Sequence, residues 1–147
     1  MIAYFDTSAF FPLIVEEAGT PVSVDLFRDA AQLISSRLLL VETAAAVAMG
    51  RRMGRVPADE HEELQDVASL LARQMTLIDA HGDVIEEAAR LAVSRDLRGY
   101  DAMHLATAKT IRARDVVFAS GDKRLLCAAR SEGFTTVDTT DRPLGAT

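Results

Sequence analysis

The first eight residues constrain the fold more than any other stretch of the chain. Residues 1–5 carry no charge and are mostly bulky, which is typical of a short strand buried on both faces. A carboxylate, Asp6, follows at once, and then two hydroxyl residues, Thr7 and Ser8, that suit the start of a helix. In open α/β sheets, ligands bind beyond the carboxyl ends of the strands, where the strand order reverses. The stretch therefore predicts a central strand that places Asp6 at a functional edge of a sheet.

The rest of the chain alternates between short apolar runs and segments with helical periodicity. Further strands are predicted at 32–35, 75–79, 115–119 and 134–137, and helices at 8–15, 21–29, 36–49, 57–74, 83–95, 100–112 and 123–132. Strands separated by helices pair in parallel, because the chain must cross a face of the sheet between them. We therefore predict one domain over residues 1–147. Its fold class is α/β, a three-layer α/β/α domain with a central parallel sheet of about five strands.

Composition and charge exclude some classes of protein. The formal charge of −6 argues against a protein that coats nucleic acid through broad phosphate contacts, although it leaves room for a local basic patch. The single cysteine, Cys127, excludes an internal disulfide and is predicted to pack as a small apolar residue. No apolar run is long enough to cross a membrane, and no export signal precedes the first strand. We therefore expect a cytoplasmic protein.

Four carboxylates stand out by position, and three of them lie at strand ends or helix starts, where parallel sheets build their sites. Asp6 and Asp122 follow predicted strands, Asp101 lies in the first turn of a predicted helix, and Glu42 lies in the first two turns of another. Each one alone is explained by helix capping or by the helix dipole, effects worth about 0.3–1 kcal/mol. If the fold brings them together, two carboxylates ~5 Å apart repel by roughly 3 kcal/mol at an effective dielectric of 20, which favours a bound cation. Oxygen ligands prefer hard ions such as Mg²⁺ or Mn²⁺, whose natural chemistry here is the attack of water on a phosphodiester.

Four segments of the chain resemble the motifs of PIN-domain nucleases. Residues 2–9, IAYFDTSA, resemble the first motif, and residues 41–42, VE, resemble the second. Residues 99–108, GYDAMHLATA, resemble the third motif and are the most specific match, and residues 117–125, VFASGDKRL, resemble the fourth. The order and spacing of these segments cover nearly the whole chain. Its size and arrangement are similar to the VapC group, the toxins of bacterial toxin–antitoxin pairs.

The resemblance implies an endoribonuclease that needs Mg²⁺ or Mn²⁺, forms a homodimer and is silenced by a partner antitoxin. It carries over four catalytic acids, with the first and third as the main metal ligands: Asp6, Glu42, Asp101 and Asp122. Three hydroxyl positions that support the site in the family are matched by Thr7, Ser8 and Ser120. Position 120 is often Thr in the family, so Ser120 is a departure that keeps the hydroxyl.

Other side chains receive no catalytic role from the sequence. His104 follows Asp101 by three residues, so it can hydrogen-bond Asp101 or the substrate, but it is more typical of a structural histidine with satisfied hydrogen bonds. Phe10, Phe11 and Ile14 give the first helix more apolar surface than one buried face requires. Together with the resemblance, they predict a homodimer whose interface involves the early helices.

Two other functions stay open on the sequence alone. A phosphoacceptor receiver domain is also α/β/α, and Asp79, Ser120 and Lys123 have residue types that suit its site. It needs an acidic pair after the first strand, however, whereas Thr7 follows Asp6 here. The second alternative is a PIN-like scaffold that binds RNA or protein without catalysis, and the complete set of acids argues against it.

Overall fold

Five parallel strands form one sheet in the computed structural model, which describes residues 1–141. The strands are β1 (Ile2–Phe5), β2 (Gln32–Ser36), β3 (Thr76–Ile78), β4 (Val116–Ser120) and β5 (Thr135–Asp138). Their order is β3-β2-β1-β4-β5, and every neighbouring pair is parallel. The predicted α/β fold and all five predicted strands are therefore confirmed. The last six residues of the expected C-terminal loop, 142–147, lie outside the described residues.

Seven α-helices connect these strands within residues 1–141. They are α1 (Thr7–Phe10), α2 (Thr20–Asp29), α3 (Leu38–Arg52), α4 (His61–Ala72), α5 (Gly82–Ser94), α6 (Gly99–Lys109) and α7 (Lys123–Ser131). A 3₁₀ turn, Phe11–Leu13, replaces the second half of the first predicted helix. Pro12 lies in this turn and has no N–H to continue an α-helix, which explains why α1 is a single turn.

Two helices begin later in the chain than predicted. The fourth helix does not begin at Pro57, because the Pro57 carbonyl accepts a 3.1 Å hydrogen bond from the Glu60 N–H and closes a turn ahead of α4. The third helix was expected to be capped by Ser35 or Ser36; it begins at Leu38, and Ser36 does serve as a cap, because its Oγ accepts a 3.2 Å hydrogen bond from the Leu38 N–H. The Ser35 hydroxyl instead donates a 2.6 Å hydrogen bond to the Phe5 carbonyl, so it ties β2 to β1.

The sheet is covered on both faces. Tyr4 packs with Leu91, Leu105 and Leu125, which come from the helices α5, α6 and α7. Its neighbours in β1 point to the opposite face, as strand geometry requires, and Phe5 packs there with Phe10 and with residues of α2, α3 and α4. The three-layer arrangement is thus confirmed. Phe10 is only 1% exposed, so it belongs to the core of the chain and not to free apolar surface.

The prediction for Cys127 was wrong. The side chain is exposed on α7, because this helix buries the residues on either side of it, Leu125, Leu126, Ala128 and Ala129. Among the described residues, no helix is both long and apolar enough to cross a membrane.

The strand order reverses between β1 and β4, because the chain extends the sheet to β2 and β3 on one side and to β5 on the other. Asp6 follows β1 directly and Asp122 follows β4 after one residue, so they lie at the switch point where open α/β sheets bind ligands. Receiver domains have the strand order 2-1-3-4-5, which differs from the order found here. The receiver-domain alternative is therefore wrong.

Candidate active site

Asp6 is held at the end of β1 by several hydrogen bonds. Its Oδ1 accepts a 2.9 Å bond from the Ala9 N–H, so it caps α1. The Ser8 hydroxyl lies 2.8 and 2.9 Å from its two carboxylate oxygens, and the Ser120 hydroxyl donates to Oδ2 at 2.6 Å. These contacts fix the orientation of a carboxylate that is only 4% exposed.

Burial makes this carboxylate costly to ionise. Loss of water contact raises the pKa of Asp6, and the nearby His104 and the hydroxyls of Ser120 and Ser8 offset the rise only in part. A cation in the adjoining space would favour the charged form of Asp6.

The two serines also join the ends of β1 and β4. Ser8 Oγ and Ser120 Oγ lie 3.2 Å apart. The Gly121 N–H donates to Ser8 Oγ at 2.7 Å, and the Asp122 N–H donates to Ser120 Oγ at 3.0 Å. Ser8 and Ser120, two of the three supporting hydroxyls predicted from the sequence, are therefore close to Asp6, and they connect it to the segment that carries Asp122.

Glu42 is held at the same site from α3. Its Oε1 accepts a 2.9 Å hydrogen bond from the Thr7 hydroxyl and lies 2.7 Å from His104 Nε2. His104 is 2% exposed, and its Nδ1 lies 3.0 Å from the hydroxyl of Tyr4. The expected histidine with satisfied hydrogen bonds is found, since both ring nitrogens have partners, and these are Glu42 and Tyr4, not Asp101. The helix position of His104 places it three residues from Asp101, but the ring turns toward β1 and α3.

Asp101 and Asp122 are joined by Arg98, a residue for which no role was predicted. Arg98 Nε lies 3.1 Å from Asp101 Oδ2, and an Arg98 Nη lies 3.2 Å from Asp122 Oδ2. Asp122 Oδ1 accepts hydrogen bonds from the N–H groups of Arg124 and Leu125 at 2.8 and 3.2 Å, so Asp122 caps α7. The capping interpretation thus holds for Asp122, while its second oxygen stays directed at the arginine.

Two adjoining cavities share Glu42 and Asp101. The first, of about 500 Å³, is lined by three of the four acids and by Thr7, Ser8 and His104; the acids are Asp6, Glu42 and Asp101. The second, of about 690 Å³, has a mostly apolar lining that includes Ile85, Met103 and Tyr100. Asp122 lines neither cavity and is connected to Asp101 through Arg98. The fold therefore gathers three of the predicted acids around one space, with the fourth beside it.

The donor chemistry of this space suits a hard divalent ion. Its polar lining consists largely of carboxylate and hydroxyl oxygens. Across residues 1–141, no three Asp, Glu, His or Cys side chains lie close enough to hold one ion together. Mg²⁺, however, is commonly bound by one or two carboxylates and completes its shell with water and substrate phosphates. The residues present fit an ion of that kind better than a cage of four protein ligands.

Sequence features that could have indicated the roles of Tyr4 and Arg98 were present. Tyr4 places a hydroxyl within an otherwise apolar buried strand, and buried tyrosines usually hydrogen-bond a polar partner. Arg98 precedes Asp101 by three residues at the start of a predicted helix, a spacing at which opposite charges meet. Only the fold reveals that the same arginine also reaches Asp122.

Comparisons with known proteins agree with this geometry. The chain matches the model of the PIN domain over residues 3–132. It is 30% identical over 132 residues to two proteins of Mycobacterium tuberculosis, ribonuclease VapC45 of strain CDC 1551 and ribonuclease VapC49 of strain H37Rv, with 90% of this chain and 92% of each relative covered.

Two solved structures share the fold. PAE2754 from Pyrobaculum aerophilum has a TM-score of 0.66 at 21% identity, covering 95% of this chain and 94% of that one. VapBC2 from Rickettsia felis, bound to a DNA fragment from their promoter, has a TM-score of 0.63 at 12% identity, covering 93% of this chain and 98% of that one. At these identities, the likeness bears on the fold alone.

Proposed function

The chain belongs to the PIN domain family, and on this basis we propose that it is a VapC-type endoribonuclease, the toxin of a toxin–antitoxin pair. One observation carries the proposal: Asp6, Glu42 and Asp101 line one cavity at the switch point of the sheet. The names of the two 30%-identical relatives, both ribonucleases, supply the reaction class.

We propose Mg²⁺ or Mn²⁺ as the cofactor, with Asp6 and Asp101 as the main ligands and with Glu42 and Asp122 binding directly or through water. When bound, such an ion supplies an activated water and stabilises charge on the phosphate oxygens. The chain's own residues hold the acids in place. Ser8 and Ser120 orient Asp6, while Thr7 orients Glu42.

The proposed substrate is single-stranded or loop RNA. The exposed ring of Tyr100 adjoins Asp101 and borders the larger cavity, and single-stranded bases stack readily on exposed aromatic rings. With a net charge of −6, the protein lacks the broad positive field of a general nucleic-acid coat. Binding is therefore expected to depend on local contacts around the acids.

An apolar row on α3 supports the proposal of a protein partner. Val41, Ala45 and Met49 follow one another at intervals of four, so they lie along one side of α3, and Met53 continues this spacing one residue beyond its end; all four are exposed. Ala45 and Met49 also line the cavity that holds the acids. An amphipathic helix of an antitoxin, laid on this row, would cover the entrance to the site. Such a helix would silence the enzyme by blocking the access of RNA to the acids.

Cleavage of a mixed cellular RNA pool tests the proposed function. Wild type is expected to cut in Mn²⁺ and to stop when a chelator is added, and Asp101→Asn is expected to be inactive while keeping the wild-type circular dichroism spectrum. Asp66→Asn, on the exposed side of α4, is the matched control and should cut like wild type.

Two outcomes would overturn the proposal in different ways. Cleavage that persists in chelator would exclude the metal mechanism. Metal binding and RNA binding without any cleavage by wild type would favour the non-catalytic scaffold.

A further inference from the structure

His104 is a buried titratable group that connects the core of the sheet to one acid of the site. It lies on α6 with 2% exposure, between Tyr4 of β1 and Glu42 of α3. Its Nδ1 is 3.0 Å from the Tyr4 hydroxyl, and its Nε2 is 2.7 Å from Glu42 Oε1 and 3.3 Å from Thr7 Oγ1. A histidine that only fills core space has no need to contact a carboxylate that lines the cavity.

The partners of His104 suit the tautomer that carries its proton on Nε2, because the Glu42 carboxylate only accepts and the Tyr4 hydroxyl can donate to Nδ1. Burial, and next the negative charge of Asp6, raise the pKa of Tyr4 well above its usual value of 10.0, so the phenol keeps its proton. That proton is positioned for donation to Nδ1. A neutral imidazole that accepts at Nδ1 bears its own proton on Nε2, which faces Glu42.

The aromatic packing around Tyr4 holds its hydroxyl next to Nδ1 of His104. The Tyr4 ring stacks on Phe118 with centroids 5.2 Å apart and meets the His104 ring edge-on at 6.0 Å. Both neighbours are almost fully buried, so the phenol has little freedom to turn away from Nδ1.

The contacts to Glu42 converge on one of its two oxygens. Thr7 donates to Oε1, and His104 Nε2 reaches the same atom. Within residues 1–141, Oε2 has no hydrogen-bond partner from the protein. Anchoring one oxygen fixes the carboxylate plane and leaves the other free for a ligand in the cavity.

We propose that His104 is a positioning residue for the reaction. Tyr4 occupies Nδ1, and the Nε2–H of His104 donates to Oε1 of Glu42, which holds this carboxylate in place and leaves its Oε2 able to bind a ligand in the cavity. The inference rests on the proposed ribonuclease function for its kinetic consequence, but the tautomer and the His104–Glu42 contact are independent of that function. Residues that orient the groups of a metal site commonly change affinity or activity by roughly 10–100-fold when replaced.

Two replacements of His104 separate positioning from packing. The side-chain nitrogen of Gln reaches the place of Nε2 and can still donate to Glu42, whereas that of Asn reaches only the place of Nδ1. On a defined RNA with saturating Mg²⁺, His104→Asn should lower kcat by roughly 10–100-fold with little change in KM. His104→Gln should recover at least tenfold over His104→Asn, even where both lower the melting temperature equally.

NMR of the imidazole nitrogens supplies a readout that needs no activity. The resonances of His104, identified by their loss in His104→Gln, should show protonation at Nε2 in wild type. Tyr4→Phe should shift the Nδ1 resonance, because Nδ1 loses its partner, while the Glu42 carboxylate keeps the proton on Nε2, and Glu42→Gln should shift the Nε2–H resonance.

Each contrary result overturns a distinct statement. Equal kcat losses in His104→Asn and His104→Gln, or a wild-type imidazole protonated at Nδ1, would overturn the positioning role. A wild type that cuts no RNA but shows the expected tautomer and the Glu42→Gln shift would refute the proposed function and leave the His104–Glu42 contact established.

Discussion

Arg98 places its Nε 3.1 Å from Asp101 Oδ2, one helical turn ahead of it at the start of α6. The same guanidinium reaches Asp122 at 3.2 Å, so one positive charge balances two of the four predicted acids. The hydrogen bond to Asp101 is also the main reason why the pKa of Arg98 is raised. A divalent ion that binds Asp101 must therefore compete with the positively charged guanidinium of Arg98.

Replacing this arginine should strengthen metal binding. Arg98→Gln removes the competing charge, and because Arg98 is 81% exposed the gain is expected to be modest, roughly two- to fivefold in Mn²⁺ affinity. Titration followed by the electron paramagnetic resonance of free Mn²⁺ measures it. Arg28→Gln, which breaks ion pairs on α2 far from the acids in the fold, is the control. Unchanged or weaker Mn²⁺ binding in Arg98→Gln would contradict the competition.

Much of the fold could be predicted because local signals agreed with the global pattern. Short apolar runs such as Ile2–Phe5 and Val116–Ser120 are buried strands, and helices separate them. The errors arose where a local signal admitted two readings. Pro57 suits the first turn of a helix and also a tight turn, and only the hydrogen bond to its carbonyl decides between them.

The site could be predicted only in part, for a different reason. Asp6 and Asp122 follow strands, so the strand order alone brings them near each other. The contact between His104 and Glu42 joins residues 62 positions apart on two helices, and no local spacing encodes it. The contact between Arg98 and Asp122 also joins distant positions of the chain, so local spacing does not predict it either.

The buried carboxylate of Asp6 predicts a pH dependence of stability in metal-free protein. Its raised pKa means that the native state holds this proton more tightly than the unfolded chain, where Asp titrates near 3.8. As the pH rises above 3.8, the unfolded chain releases its proton first, so this group lowers the free energy of unfolding until the pH passes the native pKa.

Asp6→Asn should lose this dependence. In chelator, it should be more stable than wild type at neutral pH, and the difference should shrink as the pH falls toward 4. Urea denaturation at a series of pH values measures the difference. A variant that is less stable than wild type at neutral pH would show that the hydrogen bonds from Ser8, Ser120 and Ala9 outweigh the burial of charge.

Bound metal should stabilise the protein. At a concentration of Mn²⁺ about 100-fold above its Kd, the gain of about 2.7 kcal/mol corresponds to a rise of roughly 5–10 °C in Tm for a chain of this size. Asp6→Asn should lose at least half of that rise, because it removes one of the two proposed main ligands. Differential scanning calorimetry with Mn²⁺ and with chelator tests this, and Asp66→Asn should respond as wild type does. A full response in Asp6→Asn would remove Asp6 from the metal site.

The early helices expose less apolar surface for the expected homodimer interface than the sequence suggested. Phe10 is buried within the chain, which leaves Phe11 and Ile14 as the partly exposed apolar residues of the early turn. Light scattering should give twice the chain mass of 15.9 kDa at high micromolar concentration. Ile14→Arg should shift the mass toward the monomer, while Val93→Arg, at an 87% exposed position of α5, should not. A monomeric wild type would contradict the prediction.

Asp101→Asn should separate RNA binding from cleavage. In chelator, where neither protein is expected to cut, the substitution removes one negative charge from a cavity that must receive a phosphate. Two unit charges 5 Å apart in a medium as polar as water interact by about 0.8 kcal/mol, so RNA affinity should rise about fourfold. Fluorescence anisotropy of a labelled single-stranded RNA measures the change, with Asp66→Asn as the matched control. The gain should vanish in about 1 M salt, where the screening length is only about 3 Å. A tenfold loss of affinity in Asp101→Asn would instead assign Asp101 a direct hydrogen bond to the RNA.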